Sequence, residues 1–307
     1  MTAHETDNTK ILEKIPGILE VKRILLTKEY EKFIGPVFAK VVKRNARNIF
    51  LYRIIYRSRE HSVVGFIIEP RIGENLPCII YNRGGCGEFG ALKIGMLLAD
   101  IPAELAMQGY IVIASQYSGN AGSEGKDEMG GSDIEDVLVL QKILKNYSRA
   151  NAKKIGMYGI SRGGMMTYLS LAKAKWIKAA VTVGGSTNLF REEKLRPEMK
   201  ELNKQMFGGS LEEKKKRSAI FWTHLFPRKT PLLIMHGSSD WRVSPLDSLE
   251  LSQKLLELHV PHRLVLFEGA DHGLNEYEDE SVKMTLSWFD RFLKNDEPLP
   301  NTKLHGL

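Results

Sequence analysis

The spacing of hydrophobic and polar positions changes near residue 48. Before that point, residues 27–48 carry one apolar stripe at helical spacing, interrupted only by Pro36. We therefore expect an N-terminal helical extension over residues 1–47, followed by a single domain over residues 48–307. The stripe requires a partner surface, so it either covers the domain's own core or forms a lid or a dimer contact. Its members are Tyr30, Phe33, Ile34, Val37, Phe38, Val41 and Val42.

From residue 48 onward, short strands alternate with helices. Two β-rich runs at 48–56 and 62–70 predict an opening antiparallel pair. Further strands are predicted at 77–82, 110–116, 154–159, 177–185, 231–237 and 262–269, with helices near 95–108, 133–147, 163–174, 246–258 and 280–294. This alternation predicts an α/β fold with a mostly parallel central sheet and helices on both faces. Chemistry is expected in the loops at the carboxyl ends of the strands.

The alternation breaks over residues 187–229, where the chain becomes helical and charged. Because this stretch follows the strand at 177–185, we expect it to form a small helical cap inserted into the domain. It holds the densest run of positive charge, Lys214-Lys215-Lys216-Arg217. No aromatic residues are interleaved with this run and no nucleic-acid motif accompanies it, so we interpret it as a solvated helix surface.

Composition is that of an ordinary globular protein, with 43% hydrophobic and 26% charged residues. The net charge of +7 comes from 44 basic and 37 acidic residues. No apolar run approaches the roughly 20 residues that span a bilayer, and the polar start is unlike a secretory signal. We expect a cytoplasmic protein that binds neither membranes nor nucleic acid, with Cys78 and Cys86 as thiols.

The strongest local motif is Gly159-Ile160-Ser161-Arg162-Gly163, between a predicted strand and a predicted helix. A serine on such a sharp strand-to-helix turn needs small residues two positions away on each side, and Gly159 and Gly163 meet that need. The turn would expose the Ser161 hydroxyl and direct the backbone N–H of Arg162 toward a developing oxyanion. This context predicts the nucleophile of the α/β-hydrolase fold.

A serine hydroxyl needs a base, and the base needs an orienting acid. The hydrolase fold supplies them in the chain order Ser, Asp, His. Asp240 follows the strand at 231–237, and His272 follows the strand at 262–269. The sequence therefore predicts a triad of Ser161, Asp240 and His272. We expect Asp271 to hold its own loop and His236 to shape the turn that carries Asp240.

Other chemistries leave no recognisable motif. The sequence contains no H-E-x-x-H, no paired C-x-x-C and no phosphate-binding G-x-x-x-x-G-K-[ST] motif, so we expect no metal and no cofactor. The glycine-rich segment 84–87 follows the strand at 77–82, where the second oxyanion donor is expected. Glycines there allow backbone N–H groups to approach the substrate closely.

Taken together, these segments resemble the catalytic domain of the prolyl oligopeptidase family of serine peptidases, from about Ser62 to about Leu293. The resemblance is carried by GISRGGMMTY, TPLLIMHGSSDWRVSP and GADHG, and by GSEGKDEMGGSDIEDV and WIKAAVTVGG. It implies the same triad, Gly85 as an oxyanion donor together with Arg162, and Arg242 as a ligand for a substrate carbonyl. Trp241 and Arg83 are further candidates for substrate binding.

The chain also departs from the family pattern. Family peptidases usually carry an N-terminal β-propeller, for which this chain has no room, and Asn82-Arg83 replaces a common aliphatic residue and histidine. We expect a serine peptidase that cleaves a peptide-like amide through an acyl-enzyme. A carboxylesterase acting on small acyl esters is the alternative, and a non-catalytic binding protein is a minor one. A homo-oligomer formed through the N-terminal helix is a further expectation.

Overall fold

Strands and helices alternate through residues 7–34 and 36–306, the part of the chain that the computed structural model describes. The strands are β1 (Ile18–Arg23), β2 (Ile49–Ser58), β3 (His61–Pro70), β4 (Leu76–Asn82), β5 (Ile111–Ser115), β6 (Ala150–Ile160), β7 (Ile177–Val183), β8 (Leu232–Gly237) and β9 (His262–Phe267). This succession confirms the predicted α/β fold.

The α-helices are α1 (Thr9–Leu12), α2 (Lys28–Phe33), α3 (Pro36–Ala46), α4 (Ile94–Ala99), α5 (Ile101–Met107), α6 (Ile134–Leu138), α7 (Leu140–Asn146), α8 (Arg162–Lys173), α9 (Leu189–Leu195), α10 (Glu198–Phe207), α11 (Leu211–Arg217), α12 (Pro245–Glu257) and α13 (Glu278–Phe289). Short 3-10 helices cover Ala219–Phe221, Thr223–Leu225 and Asn275–Tyr277, and a π-helical turn covers Asp290–Lys294. Among the described residues, no helix is both long and apolar enough to cross a membrane.

The chain forms two compact units. The first comprises the residues up to Tyr81 with Gly87–Lys126 and Glu135–Ile155, and the second comprises Asn82–Cys86, Asp127–Ile134 and the chain from Gly156 onward. In the first unit the strand order is β1-β2-β3-β5-β4. In the second unit the strand order is β6-β7-β8-β9, and only the last part of β6 belongs to this unit.

The first unit contains the antiparallel part of the sheet. β2 and β3 pair antiparallel along ten positions, from Ile49 opposite Pro70 to Ser58 opposite His61. β3 pairs antiparallel with β5, which in turn pairs parallel with β4. Every residue of β5 is buried, as expected of a strand covered on both faces.

The N-terminal segment is less helical than expected. Its residues Ile18–Arg23 form β1, which pairs antiparallel with β2 as an additional strand. The stripe over 27–48 forms two helices, because Pro36 lacks a backbone N–H and disfavours helical geometry in the residue before it. Val42 is fully buried, whereas 86% of the surface of Phe33 is exposed, so the stripe is only partly covered. The side chain of Val37 lies outside the described residues.

The second unit contains further parallel strands and the helical insertion. β7 pairs parallel with β8, and β8 pairs parallel with β9. Between β7 and β8, the predicted helical stretch is formed by α9, α10, α11 and two 3-10 helices.

The positive run in α11 is not a wholly solvated surface. Lys214 and Arg217 are three residues apart and so share one face of the helix, and both are buried. Lys214 forms a 2.9 Å ion pair with Glu193, and Arg217 donates to the backbone oxygens of Glu128 and Met129. Only Lys215 and Lys216 of the run are exposed.

Candidate active site

Ser161 occupies a strained turn between β6 and α8. Its φ of 58° and ψ of −124° lie in a region that non-glycine residues rarely adopt. A Cβ atom on Gly159 would collide with the backbone oxygen of Gly163, and one on Gly163 would collide with that of Asn82. The predicted need for small neighbours is thus confirmed. The Ser161 N–H donates to the Val183 oxygen at 2.8 Å, which fixes the turn to the end of β7.

Asp240 lies on the turn after β8, and four groups surround its carboxylate oxygens. Its Oδ1 accepts from the backbone N–H groups of Arg242 and Val243, at 2.8 and 3.0 Å. Its Oδ2 accepts from His272 Nδ1 at 2.6 Å and lies 3.1 Å from His236 Nε2. Burial favours a raised pKa for this carboxyl, but the hydrogen bonds from His236 and His272 outweigh it and hold the pKa of Asp240 well below its usual range.

His272 lies on the loop after β9, and its Nδ1 is committed to Asp240. Nε2 is therefore the ring nitrogen that could accept a proton from a nucleophile. Gly184 connects this pair to the serine turn, because a Cβ on Gly184 would lie 3.1 Å from His272 Nδ1 and 3.2 Å from Asp240 Oδ2. Gly184 directly follows Val183, the residue that binds the Ser161 backbone. The end of β7 thus brings the three predicted triad residues together.

The neighbours of the acid and the base have the structural roles expected of them. Asp271 accepts from the backbone N–H groups of Gly273 and Asn275, at 2.9 and 3.1 Å, so it holds its own loop. The fully buried His236 donates through Nε2 to the Val243 oxygen at 3.0 Å, which shapes the turn after β8. Its contact with Asp240 could not be predicted from spacing, because a four-residue separation indicates contact only on a helix and His236 lies on a strand.

The glycine-rich loop after β4 lies beside the nucleophile. A Cβ on Gly84 would be 3.2 Å from the Ser161 Cβ, so the backbone approaches the serine closely. Arg83 donates through Nη1 to the Gly84 oxygen at 3.0 Å. Only 1% of the Arg83 surface is exposed, which suits support of this loop rather than the predicted contact with substrate.

Arg162 is the first residue of α8, where backbone N–H groups have no acceptor within the helix. Its buried side chain forms ion pairs with Asp127 and Asp133, at 2.6 and 2.8 Å. These two acids are not among the predicted site residues, although both lie in the family-like segment that begins at Gly122.

The two remaining predicted substrate-binding residues lie on the turn that carries Asp240. Trp241 has 61% of its surface exposed, and the Arg242 guanidinium carbon lies 5.0 Å from the centre of its ring. Arg196 from the insertion approaches the same ring at 5.5 Å. Within residues 7–34 and 36–306, no group of three or more His, Cys, Asp or Glu side chains is arranged to hold a metal ion.

Comparison with known proteins identifies the family of the chain. The model of the prolyl oligopeptidase family matches residues 100–296. YtmA of Bacillus subtilis (strain 168), described as an uncharacterized peptidase, is 29% identical over 255 residues, which cover 81% of this chain and 95% of YtmA. YitV of the same organism, provisionally named an esterase, is 27% identical over 210 residues, which cover 62% of this chain and 81% of YitV.

A similar solved structure is an acylaminoacyl peptidase in complex with Z-Gly-Gly-Phe-chloromethyl ketone. It has a TM-score of 0.68 and 22% sequence identity, and the match covers 97% of this chain. The chain spans 45% of that peptidase's length, and the likeness shows a shared fold. With the family model matched over most of its α/β domain, the chain belongs to the prolyl oligopeptidase family, whose members are serine hydrolases.

Proposed function

We propose that this serine hydrolase cleaves a peptide-like amide through an acyl-enzyme. In this mechanism, His272 Nε2 takes the proton of Ser161 Oγ as the oxygen attacks the substrate carbonyl carbon. Asp240 holds the imidazole in the required tautomer and stabilises its protonated form. The backbone N–H groups of Arg162 and Gly85 bind the oxyanion, and His272 then returns the proton to the leaving amine. Water releases the acyl group by the same steps.

One observation supports this proposal most directly. His272 Nδ1 lies 2.6 Å from a buried Asp240 whose pKa is held low, so the acid is ionised near neutral pH. A short charge-assisted hydrogen bond of this kind is suited to orienting a general base. The strained Ser161 turn is fixed to Val183, and the next residue is Gly184, where an added Cβ would lie 3.2 Å from Asp240 Oδ2 and 3.1 Å from His272 Nδ1.

An esterase acting on small acyl esters is the second candidate. The similarity to YitV, provisionally named an esterase, supports it. Both candidates use the same triad and differ in the leaving group and in what binds the substrate beyond the carbonyl.

A substrate panel on purified protein tests the proposal. We expect covalent labelling by a fluorophosphonate in the wild type and none in Ser161→Ala. Turnover of N-acyl and free aminoacyl arylamides is then compared with turnover of short-chain p-nitrophenyl esters. Ester turnover without any arylamide turnover would favour the esterase, and failure of the wild type to be labelled would contradict both candidates.

A further inference from the structure

The Arg162 guanidinium lies at the centre of a buried ion cluster. Nη1 and Nη2 donate to the two carboxylate oxygens of Asp127, at 2.7 and 2.6 Å, and Nη2 also donates to Asp133 Oδ2 at 2.8 Å. Arg162, Asp127 and Asp133 have exposed fractions of 3%, 8% and 0%. Burying charges costs hydration, which offsets their mutual attraction, so such a cluster is weak evidence for stability alone.

The same guanidinium reaches the loop beside the nucleophile, because Arg162 Nη1 donates to the Gly85 oxygen at 3.1 Å. Arg83 Nη1 holds the preceding carbonyl, that of Gly84, at 3.0 Å. In a planar trans peptide the C=O and N–H groups point in opposite directions, so fixing the Gly84 oxygen also fixes the Gly85 N–H. Gly85 has a φ of 71°, and a glycine in this region is free to rotate unless its neighbouring peptides are held.

We infer that Arg162 is a positioning residue for the oxyanion site, acting through the Gly85 carbonyl, and that Asp127 and Asp133 hold its guanidinium in place. This inference rests on the proposed acyl-transfer function, in which Gly85 supplies an oxyanion donor. Donors already aimed at the oxyanion need no reorganisation during the reaction, which is the main source of their effect on rate. The cluster thus serves to hold the loop beside the nucleophile rather than to stabilise the fold.

The two-pronged contact with Asp127 determines which variants test the inference. The planar fork of arginine matches both oxygens of a carboxylate, and a lysine ammonium does not. Arg162→Lys keeps the charge but cannot bind Asp127 and Gly85 in the same geometry. Asp127→Asn keeps the shape of the acid, so this variant tests the positioning role of Arg162 if Arg162→Lys fails to fold.

Arg149→Lys is a matched control from the first unit. Arg149 is 4% exposed, forms a 2.9 Å ion pair with Glu69 and donates to the backbone oxygens of Pro70 and Gly73. The same substitution there removes a buried arginine fork with the same kinds of partner. It should lower the unfolding temperature without lowering kcat.

The experiment measures kcat and KM on a substrate that the wild type turns over, and inhibition by two probes with the same carbon skeleton. A trifluoromethyl ketone forms an oxyanion when Ser161 Oγ adds to its carbonyl, whereas the corresponding alcohol does not. Loss of one whole oxyanion donor costs about 10²–10³ in kcat, so misplacing one should cost about 10- to 100-fold. KM should stay within about twofold. The ketone's inhibition constant should rise with the loss in kcat while that of the alcohol stays unchanged.

Two results would overturn the positioning role. One is a loss of kcat in Asp127→Asn and Arg162→Lys no larger than that in Arg149→Lys. The other is equal weakening of the ketone and the alcohol, which would indicate general disruption of the site. A wild type that turns over no acyl substrate would instead count against the proposed function, so the two failures are distinguishable.

Discussion

Replacing Asp240 by asparagine should lower kcat about ten-thousand-fold while leaving the protein folded. The carboxylate faces hydrogen-bond donors on both sides, with the backbone N–H groups of Arg242 and Val243 on Oδ1 and the rings of His272 and His236 on Oδ2. An asparagine side chain has one oxygen and one NH₂ group, and the NH₂ group cannot accept these hydrogen bonds. Either orientation of the amide therefore leaves donors facing donors.

The orientation that keeps the oxygen on the two backbone N–H groups places the NH₂ group against His272 Nδ1. Nδ1 must then accept, which forces the ring proton onto Nε2, the nitrogen that has to accept the Ser161 proton. In a comparable triad this change costs about 10⁴ in rate, equivalent to about 5.5 kcal/mol at 1.36 kcal/mol per tenfold. The NH₂ group also meets the buried His236 Nε2, and an unsatisfied buried donor should cost about 1–3 kcal/mol of folding stability.

The assay is single-substrate kinetics together with urea unfolding of the wild type and Asp240→Asn. Asp271→Asn is the control, because Asp271 holds only its own loop and should affect kcat far less. If Asp240→Asn kept more than a tenth of wild-type kcat while Asp271→Asn lost activity, the assignment of the orienting acid would be wrong.

Three further predictions concern single side chains. Ser161→Ala should lower kcat about a million-fold without changing the unfolding temperature, and residual activity above a tenth of wild type would exclude this nucleophile. Arg242→Ala should lower kcat/KM about 10- to 100-fold for a peptide-like substrate and much less for a small ester, because a charge-assisted hydrogen bond is worth roughly 1.5–3 kcal/mol; equal losses together with a lower unfolding temperature would make Arg242 structural. Burial raises the pKa of Glu192 to about 7, despite a hydrogen bond from Ser186. Because this pKa is raised in the folded state, protonated Glu192 contributes stability below its unfolded-state pKa, and that contribution is lost as pH rises through 7. The free energy of unfolding of the neutral Glu192→Gln, measured in urea, should therefore rise by about 2 kcal/mol relative to that of the wild type between pH 5 and 8. A difference independent of pH would contradict this.

Local patterns were enough to predict the α/β fold and the turns that carry the candidate triad. The serine turn is a local feature, since its geometry depends on glycines two residues away. The acid and the base each follow a strand whose apolar run is evident from the sequence. Parallel strands place their carboxyl ends at one edge of a sheet, so the chain order of these turns already implied a shared site.

Contacts between distant segments could not be predicted in the same way. The sequence does not reveal the first strand because none of the residues Ile18–Arg23 is fully buried, and only the pairing of this segment with β2 makes it a strand. The buried Lys214 and Arg217 were interpreted as solvated because their partners, Glu193 and the carbonyls of residues 128 and 129, lie elsewhere in the chain.

The sequence by itself thus determined the order of the strands from β2 onward, the strained nucleophile turn and the identity of the acid and base candidates. Only the tertiary structure decided that Arg162 reaches Asp127, Asp133 and Gly85, and that Arg83 is buried and donates to the Gly84 oxygen. The physical reason is that periodicity and turn chemistry act over a few residues. The partners of a buried charge, by contrast, are set by which distant segments the fold brings within about 3 Å.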